Sequence, residues 1–324
     1  MHDLDHYSAL AAEALAAVGL HGQPDGLYEP VRYIMALGGK RLRPAMALAA
    51  CELCGGDPKV AYGPAAGLEL FHNFTLLHDD IMDAAPIRRG QPTVHVRWDA
   101  NRAILSGDTM FALAGRSLLD TPTDAIPELL RLFFDTAVEV CEGQQMDMDF
   151  EHRDDVSVEE YLEMIRLKTA VLIAASLRTG ALVARAGEPL CRELYAFGIA
   201  AGMAFQLQDD YLDTFGDERT FGKQSGGDIT ANKKTFLYLK ALELAEPSHK
   251  ERLLQHYQSQ PLDPSEKILE VSSIFRALDI PSEVRGLMQD YHEQAMKHLA
   301  MIEAARGPSP ALQEFARKVM VRER

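Results

Sequence analysis

Two aspartate triplets of identical spacing recur in this chain of 324 residues: Asp79-Asp80-Ile81-Met82-Asp83 and Asp209-Asp210-Tyr211-Leu212-Asp213. Each closes a long apolar stretch, AAGLELFHNFTLLHDD before the first and YAFGIAAGMAFQLQDD before the second. On a helix the first and last Asp of such a triplet are four apart and share a face. Like charges there repel, and carboxylates beside apolar surface are costly to keep ionised without a partner. Six such side chains at the ends of two hydrophobic helices ask for cations. All-oxygen ligation with several retained waters suits Mg²⁺, which usually bridges protein carboxylates to substrate phosphates. One copy would pass as a solvated helix end, but two in matching context argue against chance.

Metals on carboxylates imply phosphate oxygens on their other side, and phosphates want Arg and Lys. Lys40, Arg41 and Arg43 lie in GGKRLRP just before a helix start at Pro44, where free backbone N–H groups also favour an anion. Arg88 and Arg89 lie in APIRRGQPT, directly after the first triplet, and Lys223, Lys233 and Lys234 follow the second. His72 sits two turns before Asp79 on nearly the same face, where a satisfied core histidine fits the pattern equally well.

The elements that must position these groups read as helices. Three-and-four spacing of apolar residues recurs throughout, while strand-like alternation is hard to find. The spacing predicts helices over 3–18, 28–36, 42–54, 58–83, 93–119, 124–151, 157–184, 189–215, 234–245, 265–276, 282–305 and 309–321. The longest helices are apolar on most faces, as in the middle of a bundle. Gly216–Asn232 is the longest polar, glycine-containing loop, a length usually tied to function or mobility. Nothing marks a domain boundary, so the expectation is one all-α domain over 1–324.

A net charge of −15 argues against a nucleic-acid partner, but a local basic cluster can still hold phosphate. No apolar run is long enough to span a bilayer and MHDLDHYSAL is not a signal peptide, so the chain reads as soluble and cytoplasmic. Cys51 and Cys54 form a lone CxxC without a second pair and read as small buried side chains rather than zinc ligands, with Cys141 and Cys191 elsewhere.

The segments GGKRLRP, HDDIMDAAPIRRGQPTVH, EGQQMDMDFE, KTA, FQLQDDYLDTFGD and GKQSGGDITANKKTFLYLKAL follow the order found in trans-type isoprenyl diphosphate synthases, the polyprenyl synthetase family. The chain resembles that family over roughly residues 30–245. The resemblance implies a large helical bundle of the isoprenoid synthase type around a deep central cavity, usually a homodimer. It implies that Asp79 and Asp83 bridge two Mg²⁺ ions to an allylic diphosphate, supported by Asp80, and that Asp209 holds a third, with Asp210 and Asp213 in its shell. Arg88, Lys168, Lys223 and Lys233 match the clamp on that diphosphate, and Thr169 and Gln206 match positions near the reacting carbon. Lys40, Arg43, His72 and Arg89 match the pocket for isopentenyl diphosphate. Where many relatives carry Asn after the first triplet, this chain has Ala84.

Ionising an allylic C–O bond leaves charge on diphosphate and a delocalised cation on carbon, which suits preorganised metals and cations. No side chain stands out as a strong base; by resemblance, the departing diphosphate takes the proton. Segments around Lys223 and the C-terminal Arg322 and Arg324 are expected to close and exclude water. Product length should follow the cavity floor. Thr75, Phe74 and Phe71 lie four, five and eight residues before Asp79, roughly 6, 7.5 and 12 Å down the helix. A single bulky Phe74 beside small Thr75 resembles geranylgeranyl diphosphate synthases; farnesyl synthases, the next alternative, tend to double the aromatics or insert residues, with longer chains third. Phe71 blocks deeper or faces a neighbouring helix. A terpene cyclase usually alters the second triplet, and a non-catalytic subunit would have eroded both; neither departure is present.

Overall fold

The structure, a computed structural model, describes residues 2–122, 124–216, 226–258 and 264–320. Lys223, Arg322 and Arg324, expected above to act on substrate, lie outside the described residues. In chain order the helices are α1 (Leu4–Ala17), α2 (Asp25–Ala36), α3 (Leu42–Leu53), α4 (Tyr62–Met82), α5 (Val94–Arg97), α6 (Ala100–Ser117), α7 (Ile126–Glu151) and α8 (Val158–Ile165). They continue as α9 (Val171–Val183), α10 (Glu188–Phe215), α11 (Gly227–Thr230), α12 (Phe236–Leu244), α13 (Pro247–Gln258), α14 (Pro264–Ala277), α15 (Ile280–Arg306) and α16 (Pro310–Met320). A 3₁₀ turn at Pro58–Ala61 precedes α4, and a π turn at Arg166–Ala170 joins α8 to α9. Strand structure among the described residues is one antiparallel pair, β1 (Ile87–Arg88) and β2 (Gln91–Pro92). The chain is all-α.

Contacts divide it into two units, one of residues 1–135, 175–195 and 301–314, the other of 136–174, 196–300 and 315–324. The first centres on α4, which buries an unbroken run from Pro64 to Phe71. Gly63 and Gly67 lie one turn apart on it, and a Cβ at either would stand 2.6 or 2.7 Å from the carbonyl oxygens of Ser117 and Ala114. Those two glycines therefore let α6 lie against the backbone of α4. Gly180 does the same for α9 against Ala47 of α3.

The second unit has its own core, drawn from Phe150, Tyr161, Met164, Leu207, Leu237 and Phe275 among others. Gly198 and Gly202 on α10 meet the backbone and Cβ atoms of Ala174 and Ala170, so these helices also touch backbone to backbone. Gly143 on α7 faces the π turn, where an added Cβ would be 2.4 Å from the amide nitrogen of Lys168.

The predicted helix over 93–119 is broken: Asp99 is extended (φ −163°, ψ 167°) and its side chain accepts the Arg102 N–H, capping α6. The predicted helix over 157–184 is interrupted by the π turn. Helix α13 is absent from the sequence expectation because PSHKERLLQHYQ is mostly polar and buries only Leu253 and Tyr257, too few apolar residues to mark a face.

Candidate active site

In the first unit Asp79 and Asp80 ride the last turn of α4 and Asp83 is its C-cap. Carboxylates there face the negative end of the helix dipole as well as one another. Only a cation relieves both. The three are not equivalent. Asp80 is 2% exposed, and its two oxygens receive Arg88 Nε at 2.8 and 2.9 Å, with Nη2 at 2.7 Å. It is spent on fixing that guanidinium beside the motif. Asp79 is half-buried and Asp83 exposed, so the accessible oxygens belong to the first and last aspartates.

The hairpin after the motif aims the two arginines. Arg88 pairs with Gln91, leaving Arg89 (φ 52°) and Gly90 (φ 76°) as a two-residue loop with both residues left-handed, the type I′ signature. Arg88 turns back to Asp80, and Arg89 Nη1 donates to the carbonyl of Gly38. Gly39 is needed for this contact: a Cβ there would stand 2.9 Å from the Arg89 guanidinium.

The GGKRLRP segment is pinned from beneath. Arg41 is left-handed (φ 47°) and donates to Glu69 Oε1 at 2.6 Å and to the Met35 carbonyl at 2.5 Å. Asn73 Nδ2 donates to the same Glu69 oxygen at 3.0 Å. Glu69 is buried, so this ion pair is shielded from water and holds the loop that carries Lys40 and Arg43. Arg43 Nη1 donates to His72 Nε2 at 3.1 Å. Burial, then the charges of Arg43, Arg89, Arg88 and Arg41, push the His72 imidazole well below its ordinary value. It is therefore neutral and accepts. Lys40 is exposed at the loop.

In the second unit the motif sits near the C-terminal end of α10 with the same division of labour. Asp210 is 5% exposed. Its Oδ2 accepts the Tyr161 hydroxyl and its Oδ1 accepts Gln206 Nε2 at 3.0 Å; Gln206 Oε1 in turn accepts the Thr169 hydroxyl at 3.0 Å. Asp209 and Asp213 are half-buried. Asp213 also fastens the chain beyond the loop, its Oδ2 accepting the Asp228 N–H at 2.9 Å and its carbonyl the Gly226 N–H at 2.6 Å. Lys168, in the π turn, donates to Asp147 Oδ2 at 2.5 Å. Asp147, Tyr161, Asp210, Asp228, Lys233 and Lys234 line one polar hollow.

Phe71 is fully buried in the first unit, against Phe133 (centroids 5.4 Å apart), Phe74 (5.7 Å) and Phe111 (6.0 Å). Phe74 also meets Phe111 at 5.4 Å and His78 at 4.7 Å. Phe71 thus faces α6 and α7, and Phe74 faces α6. The Thr75 hydroxyl donates to the His72 carbonyl at 2.8 Å.

Sequence reasoning passed over Glu69, Asp147, Tyr161 and Asp228. Asp147 lies in EGQQMDMDFE, one of the segments that carry the resemblance, and Glu69 lies within the apolar stretch before the first triplet, where spacing does not mark it. Among the described residues no three His, Cys, Asp or Glu side chains alone form a metal cage. Mg²⁺ keeps waters and leans on substrate phosphates, so an open set of carboxylates at a helix C-terminus fits it. Among the described residues no helix is long and apolar enough to cross a membrane.

Residues 24–274 match the polyprenyl synthetase family. The chain is 38% identical over 304 residues to a short chain isoprenyl diphosphate synthase of Methanothermobacter thermautotrophicus, covering 94% of this chain and 93% of that one. It is 40% identical to a geranylfarnesyl diphosphate synthase of Natronomonas pharaonis, over 68% of this chain and 70% of the relative. A crystal structure of a geranylgeranyl pyrophosphate synthase superposes with a TM-score of 0.90 at 42% identity, covering 99% of this chain and 97% of the other.

Proposed function

We infer the reaction of a chain that belongs to the polyprenyl synthetase family: it is a short-chain trans-prenyltransferase, joining isopentenyl diphosphate head to tail to an allylic diphosphate. The observation that carries this reading is the split within each triplet. In each, the middle aspartate is buried and bonded to neighbouring side chains, Asp80 to Arg88 and Asp210 to Tyr161 and Gln206, while the first and last are more exposed.

In this reading Asp79, Asp83 and Asp209 hold Mg²⁺, three ions per site, which when bound supplies charge neutralisation for the allylic diphosphate. Arg88, Lys168, Lys223 and Lys233 are its side-chain clamp, and Asp80 keeps Arg88 from swinging away. Lys40, Arg43, Arg89 and neutral His72 receive isopentenyl diphosphate on a purely basic site. Gln206 and Thr169 turn amide and hydroxyl dipoles to the cationic carbon. The departing diphosphate accepts the proton released when the new double bond forms.

The product we assign is geranylgeranyl diphosphate, with Phe74 as the floor and Phe71 behind it. A longer product is the second reading, favoured by the geranylfarnesyl relative. Purified protein with Mg²⁺, isopentenyl diphosphate and each allylic primer tests both. A twenty-carbon product that vanishes with chelator is expected, and Phe74→Ala should lengthen it. An unchanged length would show the floor to be elsewhere.

A further inference from the structure

Tyr161 is assigned no part in the reaction above, yet it is 2% exposed and ends a chain of hydrogen bonds that begins beside the proposed reacting carbon. The chain has one polarity. Asp210 Oδ2 receives the Tyr161 hydroxyl and Oδ1 receives Gln206 Nε2, so the nitrogen of the Gln206 amide faces Asp210 and its oxygen faces Thr169. That oxygen takes the hydrogen of the Thr169 hydroxyl. Thr169 is thereby left to present lone pairs, not a hydrogen, to whatever lies on its other side.

Each link depends on the next. The Gln206 side chain has two flip states of nearly equal shape, and only the anchored Asp210 oxygen selects between them. Gln206 and Asp210 are one helical turn apart on α10, so the helix sets their spacing but not the rotation of the carboxylate. The bond that sets the rotation comes from outside the helix, from the Tyr161 hydroxyl on α8 to Oδ2. Tyr161 in turn has little freedom: its ring lies in the second unit's core with Phe150, Met164 and Leu207.

We propose that Tyr161 is a positioning residue for the condensation: it locks Asp210, and through Gln206 it turns the Thr169 hydroxyl so that oxygen lone pairs face the allylic cation. The inference rests on the prenyltransferase reading, and the two fail differently. If the native enzyme forms no product with any allylic primer, that reading fails. If the native enzyme turns over, the variants below decide the role of Tyr161.

Tyr161→Phe deletes one hydroxyl and keeps the ring. The expected result is a kcat about tenfold lower, with KM for both diphosphates and the Mg²⁺ dependence within about twofold of native. A residue that serves only the fold would lower the melting temperature without this split. Gln206→Leu should also lower kcat, and the double variant should be no slower than Gln206→Leu alone, because both cut the same relay. If Tyr161→Phe does not fold, Asp210→Asn carries the test. It keeps the size but offers one oxygen to two donors, and the same kcat loss is expected. An unchanged kcat, a loss confined to KM, or losses that multiply in the double variant would each overturn the proposal.

Discussion

Ala84 directly follows the last aspartate of the first motif with φ of 48°, a conformation that costs an L-residue with a Cβ roughly 1–2 kcal/mol and that Asn tolerates. Its side chain is exposed, so nothing packed is lost by changing it. Ala84→Asn should therefore stabilise the protein by about 1 kcal/mol, read as a higher urea midpoint at unchanged slope. An equal or lower midpoint would mean that the turn relaxes to accommodate Ala84 at no cost. Ala84 was visible in the sequence as a departure from the relatives, but its φ was not. The same limit applied to the aspartates. Six carboxylates at the right spacing were legible, whereas Arg88 closing on Asp80 and Tyr161 closing on Asp210 bring together side chains 8 and 49 residues apart. The first is within reach of a hairpin argument. The second depends on how helices pack, which periodicity does not encode.

Among the elements, the π turn at Arg166–Ala170 shows what a helical pattern conceals. Its residues are ordinary helix formers, and the sequence reads as one helix through 157–184. The wider turn carries Lys168 and Thr169, and such single π turns are frequent at functional sites. Gly143 on α7 lies against its backbone, 2.4 Å from Lys168 N and 2.9 Å from the Leu167 carbonyl carbon if a Cβ is added. Both neighbours are main chain, so neither can swing aside. Gly143→Ala should force α7 and the turn apart, destabilising by about 1–3 kcal/mol. It should lower kcat up to about a hundredfold, since small displacements of positioned groups are costly. Thermal melting together with steady-state kinetics checks both; native kinetics in the variant would show that the π turn absorbs the methyl. Helix existence was otherwise well predicted, because apolar period is strong wherever a helix buries several residues per turn. It failed at α13, which buries two, at the short α11, which lies in the stretch read as a loop, and at Asp99, where a side-chain cap starts a second helix within the same apolar run.

At the scale of the whole molecule, α6 presents apolar side chains that are exposed among the described residues. Leu105 is 59% exposed and Leu119, just past the helix, is 50% exposed; exposed Ala112 lies midway, so the three fall two turns apart along one side. Phe134 on neighbouring α7 adds a ring that is 46% exposed and meets Phe111 of α6 at 6.2 Å. Scattered apolar side chains on a surface need no explanation, but large ones that recur along one side of α6 and on adjoining α7 suit a partner surface, with Asp108 and Arg116 set between them. A homodimer, the assembly that the family resemblance implies, would account for it: a two-fold axis sets one patch against its own copy, the commonest closed arrangement. A net charge of −15 works against casual association, so the patch must be apolar enough to overcome it. Leu105→Glu would place a carboxylate, and by symmetry a second one, within such an interface, where uncompensated charge is costly. Sedimentation of the native protein at micromolar concentration should give twice the chain mass, and the variant should fall to the single-chain mass while keeping its helical circular dichroism. A native protein that sediments as one chain, or a variant that stays paired, would move the contact to another face. Kinetics on the monomeric variant then separate assembly from chemistry. Asp79, Asp83 and Asp209 lie in each copy, so whatever activity is lost on dissociation measures how far pairing steadies α6 and α7 against α4.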